Sequence, residues 1–188
     1  RNDEIIEYQY FDKAGNTIAN GKKKKGEFYY KGYSPLGDLN TEGMYDVKGG
    51  KKDIWKYYEN GVLISKGVYT DNKLNGKYHG FYRSGQQESI VTYKNDSLTG
   101  YYVAYHKNGN MSNQGWYKDN SHHGTWIAYY DDGSLKQKNF YHKGLEHGKQ
   151  EFYGVEGKLF YESYYEFGDL ITEKYYTSSG KIQEEVKH

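Results

Sequence analysis

The chain has 188 residues, no cysteine, and 26 basic against 25 acidic side chains, for a net charge of +1. So even a balance lacks the basic footprint of a general nucleic-acid binder, and the missing thiols exclude disulfide frameworks and thiolate metal sites. No run of 18 apolar residues is present to span a bilayer as a helix. The 3 Trp, 25 Tyr and 7 Phe must therefore build most of the core, since each aromatic buries far more area than an aliphatic while tyrosine keeps one wet end.

In chain order, an aromatic residue followed four positions later by glycine recurs eight times: Phe11/Gly15, Tyr33/Gly37, Tyr57/Gly61, Phe81/Gly85, Tyr105/Gly109, Tyr129/Gly133, Tyr153/Gly157 and Tyr176/Gly180. The glycines are spaced 22, 24, 24, 24, 24, 24 and 23 residues apart, so the chain is a repeat array, one structural domain over residues 1–188. The segments before the glycines, such as KYHGFY, YYVAYH and TWIAYY, are aromatic and β-branched without helical spacing and are predicted as strands. Asn60-Gly61, Asn108-Gly109 and Asp132-Gly133 are the strongest short hairpin signals, because a type I′ turn needs positive φ at both central positions. A second aromatic follows eight residues past the glycine in six copies, from Tyr45 to Tyr165. Polar loops (TDNKLNG, KNDSLTG, KDNSHHG, HKGLEHG) then return the chain. Each unit is thus predicted as strand, tight turn, strand, loop. The fold class is all-β: an elongated antiparallel meander of about seven to eight 24-residue β-hairpin repeats forming a twisted open sheet.

The ends break the pattern. Between Gly15 and Gly37 the second strand is expected to be nearly absent, with NTIANG running into four lysines. The only proline, Pro35, falls at a turn, VKGGKK (47–52) replaces a loop, and KIQEEVKH ends the array. Atypical, charged terminal repeats protect the open edges of a sheet.

The stretch GTWIAYYDDGSL (124–135) has the order loop glycine, aromatic, turn glycine, apolar residue. It resembles the MORN-repeat variant of many bacterial proteins, some labelled YwqK-like antitoxins, and the resemblance covers roughly residues 5 to 183. It departs from the standard MORN repeat, since YKDNSHHGTW keeps only the later Gly and Trp of the YxGxW opening. The resemblance implies the β-hairpin array and a protein partner, toxin-like or envelope-associated. WIAYYDDGSL also looks like the repeats of choline-binding and cell-wall proteins, which stack aromatics around ligands, but their period is nearer 20 residues.

The residues offer little for catalysis. No GxSxG elbow, phosphate-binding loop or dinucleotide fingerprint is present, and carboxylates such as Asp131 and Asp132 sit at turns, where Asp stabilises local backbone. Of the seven histidines, His122 and His123 are neighbours and point oppositely on an extended strand; solvated loop histidines are expected, with no metal and no cofactor. Lys22–Lys25 is expected as a solvated loop, with contact to an acidic lipid headgroup as the less favoured alternative.

The aromatic columns carry the functional expectation. Trp55, Trp116, Trp126, Tyr105, Tyr129 and Tyr153 are the candidate binding surface, set against the plainer reading that cross-strand aromatics are the core. The expected function is a non-enzymatic scaffold for a protein partner of unknown identity. The alternative is a cell-envelope module that binds a glycan through exposed aromatics. The Tyr, Asn and Lys content is compatible with a bacterial exported or surface protein, although the chain opens on RNDE without a visible leader.

Overall fold

In a computed structural model, which describes residues 7–23 and 26–188, the chain is all-β, with no helix among those residues. Its strands form an open antiparallel meander, as the repeat predicts. Its contacts fall into two compact units. The N-terminal unit comprises the residues up to Gln87 with Thr92–Ser97; the C-terminal unit comprises Glu88–Val91 and Leu98–His188.

The N-terminal unit contains β1 (Glu7–Phe11), β2 (Thr17–Lys22), β3 (Phe28–Tyr33), β4 (Leu39–Tyr45), β5 (Lys51–Glu59), β6 (Val62–Thr70) and β7 (Lys73–Phe81). There β1 and β2 make a two-stranded sheet, while β3 to β7 pair in chain order. The strand expected to be missing after Gly15 is therefore present as β2: Thr17, Ala19, Asn20, Gly21 and Lys22 pair along it despite its low apolar content, with Tyr10 opposite Ala19. Next come β8 (Gln87–Lys94) and β9 (Ser97–Leu98). The C-terminal unit continues through β10 (Gly100–Tyr105), β11 (Met111–Lys118), β12 (Ser121–Tyr129), β13 (Leu135–His142), β14 (Leu145–Glu146), β15 (Gly148–Tyr153), β16 (Leu159–Glu166), β17 (Asp169–Tyr176) and β18 (Ile182–Lys187). Of the Lys22–Lys25 run, Lys22 pairs with Glu7 at 3.2 Å and the Lys23 ammonium donates to the Val47 carbonyl at 2.9 Å; Lys24 and Lys25 lie outside the described residues.

The turns exchange the roles expected of them. Only Asn60-Gly61 is a type I′ turn of the predicted kind, with φ of 49° and 74°. At Gly133 the Tyr130 N–H donates to the Ser134 carbonyl at 2.9 Å and the Gly133 N–H to the Tyr130 carbonyl at 2.9 Å. With only the glycine at positive φ, this is a type I turn closed by a glycine bulge, and Gly109 has the same pattern. The predicted polar loops are instead the type I′ turns: Asp71-Asn72, Asn95-Asp96, Asp119-Asn120, Lys143-Gly144 and Phe167-Gly168 each hold two consecutive positive φ values. Asn and Asp tolerate that region better than other side-chain-bearing residues.

These turns also clip each hairpin to the one before. The Asn72, Asp96 and Asn120 N–H groups donate to the carbonyls of Lys51, Leu74 and Leu98 at 2.9–3.0 Å. Their side-chain Oδ1 atoms accept the N–H groups of the same three residues in return, at 3.3, 2.7 and 2.7 Å.

A bulge recurs where one hairpin meets the next. Three residues of the later strand span one residue of the earlier: Asp53–Trp55 against Gly43, and Gly124–Trp126 against Gly115. A bulge bends the strand and re-aims its side chains, and here it lays an indole flat on a glycine. A Cβ on Gly43 would stand 2.3 Å from Trp55, and one on Gly115 would stand 2.2 Å from Trp126. Each indole N–H then donates to the carbonyl after its glycine: Trp55 to Met44 at 3.0 Å, and Trp126 to Trp116 at 3.1 Å.

Candidate functional site

In the N-terminal unit the tryptophan site is closed. Trp55 is 1% exposed. Tyr45 meets it edge-on at 4.8 Å between ring centroids, and Tyr30 lies nearly parallel at 6.2 Å. The Lys51 ammonium sits 4.5 Å over the indole and 5.2 Å from the Tyr57 and Tyr69 rings, a placement favoured by the ring quadrupoles. Tyr57 completes the cluster: its hydroxyl bonds to that of Tyr69 at 2.8 Å and accepts from Lys51 at 3.0 Å. Burial pushes the Tyr57 and Tyr69 hydroxyls above their usual range.

The C-terminal unit repeats this arrangement in the same register. Trp55 faces Gly67 as Trp126 faces Asn139, Tyr57 faces Ser65 as Ala128 faces Gln137, and Tyr30 faces Gly43 as Tyr102 faces Gly115. Tyr117 meets Trp126 edge-on at 4.9 Å and Tyr102 lies nearly parallel to it at 5.5 Å. His122, four residues before Trp126 as Lys51 is before Trp55, covers the indole at 4.0 Å; its burial lowers its pKa, favouring the neutral ring. The difference lies at Ala128. Where Tyr57 projects a ring, Ala128 leaves a cup of about 260 Å³ lined by Tyr102, His122, Trp126 and Tyr141 among others.

Polar groups line the bottom of this cup. Asn139, 6% exposed, reaches the Tyr141 hydroxyl through its amide nitrogen at 3.3 Å, while its carboxamide oxygen is buried without a hydrogen-bond partner. Behind it Gln150, wholly buried, substitutes for a strand partner: its amide oxygen accepts the Phe140 N–H and its nitrogen donates to the Phe140 carbonyl, both at 3.0 Å.

The other side of the sheet carries a different feature. Trp116, Phe140 and Tyr164 are 24 residues apart and 54%, 39% and 42% exposed. They stand on β11, β13 and β16, two hydrogen-bonded steps apart each time, so their backbones are about 10 Å from one another. Tyr101, also exposed, lies 5.7 Å from Trp116. Its hydroxyl donates to Gln114, whose amide donates to the Tyr129 hydroxyl at 2.6 Å. Beside the row runs a cross-strand charge ladder in which Lys149 reaches Glu151 at 3.0 Å and Glu162 at 2.9 Å, with Lys174 3.9 Å from Glu162.

The six aromatics singled out in the sequence do not form one surface. Trp55 is core, Trp126 lines the cup, and Trp116 belongs to the exposed row. Tyr105, Tyr129 and Tyr153 are half-buried at the turn ends of β10, β12 and β15, where the Tyr153 carbonyl accepts the Tyr130 hydroxyl at 2.8 Å. Sequence reasoning missed Phe140, Tyr164, Ala128 and Asn139. The first two had a signal, the 24-residue spacing from Trp116. Among the described residues no three His, Asp or Glu side chains converge as metal ligands.

Comparison with known proteins adds no family. No family model matches the chain, and no curated protein matches it. Solved structures it is similar to include a TcdB2-TccC3 complex, with 12% identity over 94% of this chain and a TM-score of 0.21. Another is a TcdB2-TccC3-Cdc42 complex, with 13% identity over 94% and a TM-score of 0.19. The chain spans 14% and 15% of those two chains.

Proposed function

We propose that the chain is a non-enzymatic repeat scaffold of the MORN-variant kind, binding a partner protein along the Trp116–Phe140–Tyr164 row. The observation that carries this reading is the row itself: one large exposed aromatic in each of three consecutive repeats, on strands of fixed spacing. Regularly placed aromatic anchors are what protein interfaces use at their energetic centres. The neighbouring lysines and glutamates are paired with one another, so they form a rim and not a charged lure. Glu42, held well below its ordinary range, is tied to Lys56 and Tyr58 at 3.0 and 2.7 Å, which suits a structural role better than an acid–base one. The family resemblance suggests a toxin-like or envelope-associated partner.

The test is co-purification at physiological salt from the native host with the wild-type chain and a Trp116→Ser, Phe140→Ser, Tyr164→Ser variant. A partner retained by the wild type and lost by the folded variant is expected. Retention by both, or turnover of a substrate by the purified chain, contradicts the reading. A glycan is the second reading, favoured by the open angle between the Tyr101 and Trp116 rings, 59° at 5.7 Å. Quenching of tryptophan fluorescence by cell-wall polymer would support it, and a flat titration would remove it.

A further inference from the structure

We infer that the Trp126 cup is a binding site for a phenol ring, the side chain of a tyrosine presented by another polypeptide. The occupant is identified within the molecule. In the N-terminal unit the same register position holds the phenol of Tyr57, packed in the cluster of Trp55, Tyr69 and Lys51. The C-terminal unit builds the corresponding walls with Trp126, Tyr141 and His122 and lacks the Tyr57 ring, because Ala128 stops at Cβ. An apolar cavity of about 150 Å³ holds a benzene ring, so a cup of about 260 Å³ has room for a phenol with its hydroxyl.

The polar groups specify the hydroxyl. The Tyr57 hydroxyl in the closed site meets the Tyr69 hydroxyl and the Lys51 ammonium; an incoming phenol would find the counterparts, Tyr141 and His122. The open site also differs from the closed one by a buried, unpartnered acceptor, the Asn139 carboxamide oxygen, where the closed site has Gly67. An acceptor buried without a partner costs about 1–3 kcal/mol, and a small turn of the Asn139 carboxamide towards the cup would let an entering hydroxyl remove that cost. A site built to bond a hydroxyl discriminates strongly against an analogue lacking it. This site lies on the side of the sheet away from the Trp116 row, so it stands or falls independently of the proposed scaffold function.

The experiment is an NMR titration of the full chain, following the three indole N–H signals assigned by single Trp→Phe variants. The probes are p-cresol, N-acetyl-L-tyrosinamide, toluene and methyl β-glucoside. Both phenols are expected to shift the Trp126 signal, with toluene at least tenfold weaker and the glucoside inert. Tighter binding of the tyrosinamide than of p-cresol assigns the source to a peptide, and the reverse assigns it to a small phenol. Ala128→Tyr supplies the missing ring from within and is expected to abolish the response. If that variant does not fold, Ala128→Val, which narrows the cup without filling it, is expected to weaken both phenols. A response centred on Trp116, equal binding of toluene and p-cresol, a response to the glucoside alone, or no response at all overturns the inference.

Discussion

The two tryptophan clusters share strand register, bulge, glycine seat and indole hydrogen bond, and they differ in what fills the space beside the indole. Around Trp55 the chain supplies a tyrosine ring and a lysine ammonium, and the site is core. Around Trp126 it supplies a methyl group and a half-buried histidine whose pKa is lowered, and the site is a cup. The same bulge and glycine seat therefore carry either a filled core or an open cup, depending on the side chains that complete the site. The comparison also explains why the C-terminal unit buries amides: Asn139 and Gln150 stand where the closed site has Gly67 with Tyr78 packed upon it.

The largest expected effect breaks the shared part. Gly43→Ala drives a Cβ into a fully enclosed indole, so Trp55 must leave its seat, and the loss should approach the roughly 3–5 kcal/mol of deleting a buried tryptophan. Gly115→Ala meets an equally close indole, but Trp126 can retreat towards the cup. About 1–2 kcal/mol is expected there, within the range for overpacking. Denaturant unfolding of the two variants, read by far-UV and tryptophan signals, checks the inequality; equal losses would mean that the cup offers no room.

The next effect sharpens the difference in acid response. Burial pushes the Glu42 carboxyl up, but hydrogen bonds from Tyr58, Lys56 and Tyr29 prevail and hold it at about 2, below its ordinary 4.5. A carboxylate depressed in the fold contributes stability that is complete above its unfolded pKa and is lost as pH falls towards the folded one. The N-terminal unit should therefore weaken between about 4.5 and 2. Glu42→Gln should cost about 1–3 kcal/mol at neutral pH, the price of leaving buried partners unmatched, and should flatten that slope.

The smallest effect belongs to His122. Its pKa is lowered by burial, so the unfolded chain takes up the proton first, and stability declines as pH drops below the ordinary histidine value of about 6.5. His122→Phe should remove this dependence while leaving the indole covered. A slope of the same size in the variant would assign the titration elsewhere.

Much of this architecture was legible in the sequence, and the reasons for the rest are physical. The 24-residue period and the strands followed from aromatics and glycines in fixed columns. The turns were misassigned because a glycine at positive φ suits both a type I′ turn and a type I turn with a bulge. The residue before it decides, and Asp132 and Asn108 do not announce their φ. Apart from Asn60-Gly61, the type I′ turns escaped notice because pairs such as Asp71-Asn72 and Asp119-Asn120 reach positive φ without any glycine. The exposed Trp116 and the cup-lining Trp126 could not be sorted by parity, since aromatic residues stand at both parities of these strands, as the neighbours Trp116 and Tyr117 do. The cup itself depends on a side chain that stops short, Ala128, and becomes visible only when the register of one unit is laid on the other.

The measurement that tests the account most directly is the unfolding free energy of Ala128→Tyr. If the cup is the vacancy of a Tyr57-like ring, the new ring enters existing space, and stability should rise by about 1 kcal/mol or more from the aromatic area it buries. The Trp126 indole should at the same time become protected from quenching by acrylamide. A fall in stability, with Trp126 as accessible as before, would show that the two sites are not copies and would contradict the account.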